Sequence, residues 1–525
     1  MYYNKMSTSM SASLSASVIK TALISVFDKK NLNILIPFLE RNNYHIYSTG
    51  GTLNKINEYV ENKSIVYSIS DYTKYPEICN GRVKTLHPRI YGGILGLRDN
   101  PDHVNDIKEI RAKFFDLIVV NLYPFEKVLE EKPSEDILLE NIDIGGHTLL
   151  RAGSKNYKYI SVLSSPSQYQ DFMDQKLTNL SLAKDAFTIA MKYDIAINNW
   201  ITEGDTIGTT YNKIQPIKYG LNPYMQPAYI YGKNGGNAPF TILNGNPGYI
   251  NLLDAYYAIH LVLEVKEQLN VECCASYKHN SPAGVAIATE DKDAGTTFLE
   301  ARNIDPKSSF GDFIGYSGIV DEGMATKLKK YVSDGIIAAD YTAEALEILK
   351  TKKKGAYIIL KQSELPTGME YRDVNGVTLM QPSNMSVLNR DKILGIPNEN
   401  IRNDMALGYI TMKYTQSNSV CFVSKGKVIG IGAGQQNRVD CINIAGKKAK
   451  NWIMRRLGIE IRAEDDIVMV SDAFLPFPDN VESAAEYNVK YILQPGGSIR
   501  DKEIQYACTK HNIVMVCTNL RAFTH

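Results

Sequence analysis

No two of the seven cysteines (Cys79, Cys273, Cys274, Cys421, Cys441, Cys508 and Cys517) stand at a C-x-x-C spacing. An odd, scattered set argues against a disulfide framework and against a zinc site. It points to a reducing compartment, and a cytoplasmic location is expected. No apolar run is long enough to cross a bilayer, so no membrane partner is expected. Excess charge of one sign is lacking too. Lysine and arginine number 58 against 57 acidic residues, a formal net charge of +1, so no whole-chain field draws nucleic acid. No short-period repeat is visible, which disfavours a solenoid. The first 20 residues hold two lysines, no arginine and no acidic residue. Without an amphipathic pattern, a disordered extension is expected there rather than a transit peptide.

What is present describes an ordinary globular chain. At 525 residues, 44% hydrophobic and 22% charged, it is too long for one core, and two to four domains are expected. Apolar runs at 21–27, 44–48 and 115–121 predict strands. Between the first two, Asp28 is a candidate cap for a helix with Leu32, Leu35, Ile36 and Leu39 on one face, which Pro37 should kink or shorten. A polar stretch over 203–212 predicts a linker. Further strands are expected near 357–360, 419–423, 467–470 and 513–517. Strands alternating with helices predict an α/β fold with a parallel sheet.

Several motifs carry chemistry. Ser48-Thr49-Gly50-Gly51-Thr52 lies between a strand and a helix, where glycine amides and the helix start suit a phosphate, although many such turns carry Gly-Gly for steric reasons alone. In Gly81-Arg82-Val83-Lys84-Thr85-Leu86-His87-Pro88, an extended backbone would put Arg82 and Lys84 on one face for an anion; the alternative is a solvated basic loop. Asp143-Ile144-Gly145-Gly146 opens a predicted helix, with Asp143 a candidate acid/base and Lys155 a candidate cation, or else a cap and a surface charge. Lys278-His279, at the end of an apolar run and before a Pro-Gly turn, offers a base near neutral pH beside a fixed positive charge. Taken alone, the dipeptide reads more readily as structural. Gln416-Ser417-Asn418-Ser419 could orient an amide or belong to a buried polar network. Ser471-Asp472-Ala473-Phe474-Leu475-Pro476-Phe477 could wall an aromatic slot, and Arg521 offers an anion fork.

Taken in order from about residue 21 to the C-terminus, these motifs closely resemble the family of bifunctional purine-biosynthesis enzymes that join IMP cyclohydrolase to AICAR transformylase. The shared stretches include Asn121-Leu122-Tyr123-Pro124-Phe125, Phe310-Gly311-Asp312 and Gly432-Ala433-Gly434-Gln435-Gln436-Asn437-Arg438. The resemblance implies a methylglyoxal-synthase-like α/β domain over 21–202 and, over 213–525, two tandem cytidine-deaminase-like α/β subdomains without zinc. It implies formyl transfer from 10-formyltetrahydrofolate to AICAR, then dehydrating ring closure of the product to IMP. No transition metal is implied, and a monovalent cation is admitted. Nucleotide and folate would be the small-molecule partners, within an obligate homodimer.

The site residues follow from the same resemblance. Lys84, Tyr123, Asp143 and Lys155 would act at the reacting end of the cyclohydrolase site, which Ser25, Lys29, Thr49, Gly50, Gly51, Thr52, Arg82, Thr85, Asn121 and Gly145 would line. In the transformylase site His279 would take the amine proton, Lys278 would stabilise charge at the formyl group, and Asn418 and Asp334 would orient the reactants. Lys218, Tyr219, Phe310, Gly311, Gln436, Asn437, Arg438, Phe474, Pro476, Phe477, Arg521 and Phe523 would bind nucleotide or folate. Five positions depart from the family pattern: Phe27 for a small hydroxyl residue, Lys218 for arginine, Tyr224-Met225 for His-Gln, and Asn437 for a small residue. They keep open a nucleotide-binding regulatory module that has lost one activity. A lyase like methylglyoxal synthase is disfavoured by the chain's length.

Overall fold

The computed structural model describes residues 19–363, 365, 368–390, 393, 395–457 and 466–525. The extension expected over 1–20 therefore falls, except for Ile19 and Lys20, outside the described residues. The chain divides into two units, Met1–Thr210 and Tyr211–His525.

The first unit is built on a five-stranded parallel sheet of order β3-β2-β1-β4-β5. Its strands are β1 (Lys20–Val26), β2 (Tyr44–Ser48), β3 (Val66–Ser68), β4 (Leu117–Asn121) and β5 (Ser161–Leu163). Both faces are covered, and the residues sort by the two-residue period of a strand. Ala22, Ile24, Leu117 and Val119 pack on one side with Leu32, Leu35, Ile36 and Leu39 of the helix Leu32–Arg41. Leu23, Ile118 and Val120 pack on the other with Ile90, Leu149 and Leu150.

Two local expectations need correction. Asn31, not Asp28, precedes the helix, in a left-handed conformation; the Asp28 carboxylate instead accepts from the Lys30 amide at 3.0 Å. Pro37 does not end the helix, which continues to Arg41. Strand β4 starts two residues later than the apolar run suggested. The stretch read as a linker also ends early, because β6 (Tyr211–Ile217) begins inside it and pairs with β7 (Ala228–Lys233).

The second unit carries an eleven-stranded sheet of order β20-β19-β18-β16-β17-β10-β9-β11-β12-β13-β8. Its strands are β8 (Phe240–Asn244), β9 (Cys273–Lys278), β10 (Ser281–Ile287), β11 (Asp312–Val320), β12 (Ser333–Tyr341), β13 (Ile358–Gln362), β16 (Val420–Ser424), β17 (Lys427–Gly432), β18 (Ile467–Ser471), β19 (Val489–Gln494) and β20 (Val514–Cys517). Apart from β8, which pairs antiparallel with β13 at one edge, the sheet is one five-stranded pattern used twice. An antiparallel hairpin (β9–β10, β16–β17) is followed by three mutually parallel strands (β11–β12–β13, β18–β19–β20), the first of them antiparallel to the hairpin's first strand. The repeats join edge to edge through antiparallel β10 and β17, Val285 facing Val428. A separate hairpin, β14 (Met369–Val374) with β15 (Val377–Pro382), is exposed along its whole length.

Candidate active sites

In the first unit the sheet order makes β1 and β4 neighbours from which the chain leaves in opposite directions. The crevice beyond their carboxyl ends is where doubly wound sheets bind ligands. Val26 faces Asn121 across that pair. Asn121 shapes the rim: its Oδ1 accepts from the amides of Phe27 and Asp28 at 2.7 and 2.8 Å, and its Nδ2 donates to Asp28 O at 2.9 Å. Thr52 does the same for the next turn, donating to Val26 O at 2.9 Å and accepting from Val26 N at 3.3 Å. Both were read as substrate contacts, and in the structure their polar atoms hold the loop after β1.

Three glycine-bearing turns meet at this rim. Gly50, at φ +52°, opens the helix Gly50–Tyr59, and Lys84 Nζ lies 3.5 Å from where a Cβ on it would stand. Lys29 Cε lies 4.0 Å from the same point on Gly51, so two ammonium groups approach the helix start. Thr85 is buried, with its hydroxyl 3.3 Å from where a Cβ on Gly145 would stand. The segment 81–85 thereby bridges the turn at 49–52 and the turn at 143–146. Glu77, which no motif marks, takes a hydrogen bond from Thr49 and an ion pair from Lys84 at 3.4 Å.

The backbone at Arg82 is helical (φ −64°, ψ −26°), which corrects the extended reading. Arg82 turns instead to Glu140, and both are well exposed. Asp143 accepts from the Gly146 amide at 2.7 Å, while its own amide donates to the Tyr193 hydroxyl at 2.8 Å. Burial raises its carboxyl above the usual range, against the Gly146 and Tyr123 amides and His147. Tyr123 stands edge-on to Phe27, ring centroids 5.5 Å apart, at the mouth. Ser25 is half-buried in β1. Lys155 is not gathered in. It ends the helix Gly145–Lys155, and at 1.5 Å per residue its Cα stands about 15 Å from Gly145 along the helix axis.

In the second unit the turn expected at Pro-Gly is the dipeptide itself. Lys278 ends β9, His279 and Asn280 form a two-residue loop at φ 56° and 58°, and Ser281 starts β10. Two successive positive φ values are the type I′ hairpin geometry. The backbone therefore presents His279 at an exposed apex. Lys278 Nζ donates to Phe310 O at 2.6 Å, which puts the ammonium at the Phe310-Gly311 corner; the Phe310 ring is 62% exposed and Gly311 takes φ +77°.

Asp254, buried in the helix Tyr249–Leu269, accepts from the Asn280 amide at 2.7 Å. Burial raises its carboxyl, the turn amides and His279 lower it, and Asp334 raises it again, so Asp334 faces the same place. Asp334 pairs with Lys353 at 2.6 Å. Asp312, beneath the corner, is pushed up to about 6 by burial, against a hydrogen bond from Ser276 (2.6 Å) and the charge of Arg302. Neither Asp254 nor Lys353 stood out in the sequence, because their roles arise only from long-range packing.

A second cluster adjoins the first through Tyr277, whose hydroxyl donates to Tyr414 O at 2.9 Å, and Ser281, whose hydroxyl accepts from the Gln416 amide at 3.4 Å. Asn418 is held on both sides: Arg438 Nη2 donates to its Oδ1 at 2.9 Å, and its Nδ2 donates to Gln435 O at 2.9 Å and Gln436 O at 3.4 Å. Arg438 is itself paired with fully buried Asp472. Asn437 accepts from the Asp440 amide at 2.8 Å and so caps the helix Arg438–Leu457, which explains this departure from the family pattern.

The chain's last residues are stitched alongside. Ala522 N donates to Asp472 O, Thr524 N donates to the Ser417 hydroxyl, and the Arg521 guanidinium lies 4.7 Å over the Phe523 ring. Phe474 and Phe477 are about half exposed while Leu475 between them is buried, and Arg500 stacks on Phe477 at 4.9 Å. Lys218 Nζ lies over the Tyr219 ring at 5.3 Å, close to the start of the helix that carries Asp254. Tyr224 is 82% exposed in the loop before β7. Among the described residues, no three histidine, cysteine or acidic side chains are grouped to hold a metal ion, and no helix is long and apolar enough to cross a membrane.

A switch-point crevice in one unit and a doubled α/β sheet with a cationic, imidazole-bearing hairpin in the other define a two-site α/β enzyme. The comparisons agree with that architecture. The AICARFT/IMPCHase bienzyme family model matches residues 153–448, and the MGS-like domain model matches 33–148. The "Bifunctional purine biosynthesis protein PurH" of Prochlorococcus marinus (strain MIT 9301) is 36% identical over 534 residues, covering 96% of this chain and 99% of that one. The protein of the same name from Clostridium botulinum (strain Kyoto / Type A2) is 38% identical over 525 residues, covering 97% and 100%. The chain belongs to the AICARFT/IMPCHase bienzyme family. It is a bifunctional enzyme of purine biosynthesis, AICAR transformylase and IMP cyclohydrolase in one chain, and its transformylase domain implies a formyl-folate co-substrate.

Proposed function

We propose that the second unit transfers the formyl group of 10-formyltetrahydrofolate to the 5-amino group of AICAR. His279 takes a proton from that amine, a poor nucleophile because it is conjugated with the carboxamide. The amine nitrogen attacks the formyl carbon, and Lys278 stabilises the oxyanion that forms. Collapse breaks the bond to the folate nitrogen, which leaves with a proton as tetrahydrofolate. Asp334 and Asn418 orient the reactants, and the fixed amide of Asn418 suits that task. Phe310, Gly311, Phe474, Pro476 and Phe477 line the flat rings. Lys218, Tyr219, Gln436, Arg521 and Phe523 hold the remaining polar parts.

The observation that carries this reading is the meeting of Lys278, His279 and Phe310 at one hairpin apex. Supplying AICAR and 10-formyltetrahydrofolate and following tetrahydrofolate tests it. His279→Ala should lose ~10²–10⁴-fold in rate, and a full rate would refute the role.

In the first unit the formylated product closes to IMP. The carboxamide nitrogen attacks the formyl carbon and water departs, a step that positioning and oxyanion stabilisation can drive. Lys29, at the helix start, suits the negative charge of the substrate, and Lys84, Asp143 and Tyr123 flank the reacting end, with Lys84 facing the oxyanion that forms. Formation of IMP from the isolated formylated nucleotide tests this step separately. The working form is a cytoplasmic homodimer in which a second copy covers the exposed β14–β15 hairpin, where Val377 and Leu379 are each 61% exposed. Such a two-stranded ribbon has little stability alone in water. Sedimentation of a monomer at assay concentrations would overturn that part.

A further inference from the structure

The two repeats of the second unit hold their first hairpins in the same way. In the C-terminal repeat, Lys425 and Gly426 form the β16–β17 turn at φ 51° and 72°. Asp404, buried in the helix Glu399–Lys413, accepts from both turn amides, Lys425 N at 2.8 Å and Gly426 N at 2.7 Å. In the N-terminal repeat, Asp254 accepts from Asn280 N at 2.7 Å, and the His279 amide also favours its charged form. Both aspartates lie in the helix that precedes their hairpin, and they are only 6% and 3% exposed.

The turns differ in self-sufficiency. Positive φ is disfavoured for residues with a Cβ, and type I′ turns prefer glycine at the second position. Gly426 meets that preference, whereas His279-Asn280 offers no glycine. The turn bearing the reacting groups is therefore the one that depends more on its aspartate.

We propose that Asp254 is a positioning residue for formyl transfer. By accepting from the Asn280 amide it holds the turn, and with it His279 at positive φ, and fixes where the imidazole and the adjacent Lys278 meet the substrate. Asp254 does not itself touch the reacting atoms. The inference rests on His279 being the base. Asp404 is its counterpart on a turn that bears no reacting pair, which gives a control within the same chain.

The test compares Asp254→Asn, Asp404→Asn and His279→Ala in the full-length dimer, with the cyclohydrolase rate as a reference. Asp254→Asn is expected to lower transformylase kcat by ~10–10²-fold, the range of a small misplacement of a catalytic group, with KM for AICAR little changed. Asp404→Asn should lose similar thermal stability and keep its kcat. Adding Asn280→Gly to Asp254→Asn should restore part of the rate, since glycine adopts positive φ unaided. A full kcat in Asp254→Asn beside an inactive His279→Ala would overturn the inference and leave the base intact. A full rate in His279→Ala would overturn both. An equal kcat loss in Asp404→Asn, or no recovery with Asn280→Gly, would mean general destabilisation and also overturn it. Should Asp254→Asn not fold, Asn280→Val keeps the aspartate and forbids the turn; undiminished kcat there counts against the inference.

Discussion

Removing the Arg438 side chain should weaken the fold and the transformylase together. Arg438 Nη1 donates to Asp472 Oδ1, to Ser471 Oγ at 2.9 Å and to Ser419 O at 3.4 Å, and Nη2 donates to Asn418 Oδ1 at 2.9 Å. Arg438→Leu leaves Asp472, which has no solvent exposure, with only its Oδ2 satisfied, by Ser419 N at 2.9 Å and Ser419 Oγ at 3.2 Å. Breaking a buried pair by removing one partner costs about 3–5 kcal/mol. The unmet Asn418 oxygen adds a smaller term because it is partly exposed, so about 4 kcal/mol is expected in all. That is a large part of the roughly 5–15 kcal/mol typical of a folded domain.

The chain allows a clean readout, because its two tryptophans fall one to each unit: Trp200 in the first and Trp452 in the helix that Arg438 begins. In a Trp200→Phe background, urea unfolding followed by fluorescence reports the second unit alone. The midpoint should fall by roughly 1–2 M. Transformylase kcat should drop as the Asn418 amide loses its donor, while ring closure in the first unit keeps its rate. A midpoint shift worth less than about 1 kcal/mol would refute the reading of Arg438–Asp472 as a stabilising pair.

Four further outcomes are expected. Burial pushes Asp404 up to about 6 despite the Gly426 and Lys425 amides, so the folded value lies above the unfolded one near 3.9. The part of its contribution linked to protonation is fully present below the unfolded value and is lost as pH rises through about 6, while the bonds from the turn amides remain, so acidifying from about pH 7.5 to about pH 5 should stabilise the wild type by roughly 1 kcal/mol relative to Asp404→Asn, measured by urea titration at each pH. Thr52→Val should cost the first unit about 1–2 kcal/mol, read from Trp200 fluorescence in a Trp452→Phe background, with little change in cyclohydrolase KM, because the lost hydrogen bonds go to Val26. Lys84→Met should lower cyclohydrolase kcat by ~10²–10³-fold, as the loss of an oxyanion donor does. Lys155→Ala should leave it nearly unchanged, and a comparable loss there would show that the far end of that helix takes part.

Local signals in the sequence carried much of this structure. The strand at 44–48 and the Leu32, Leu35, Ile36, Leu39 stripe are plain in apolar spacing, and the helix opened by Gly145 is plain in its glycine pair. The Lys278-His279 dipeptide drew attention for its chemistry, but its geometry was hidden. Nothing local says that His279 accepts positive φ, because the aspartate that holds the turn stands 25 residues upstream. The backbone bonds of Thr52 and Asn121 were hidden for the same reason: a hydroxyl or amide reads alike whether it faces a substrate or the backbone of a distant strand. The shared face read for Arg82 and Lys84 did not form because a 3-10 turn replaced the extended backbone that alternation assumes.

The seam between β10 and β17 gives each repeat a structural use for the other, apart from the site residues it carries. Alone, either half of the eleven-stranded sheet would end in an unpaired strand rich in buried apolar residues, the kind of border that recruits other chains into aggregates. Joined, each half shields the other. The C-terminal repeat thus covers an edge that its partner would otherwise expose, and a chain truncated before β16 is expected to precipitate.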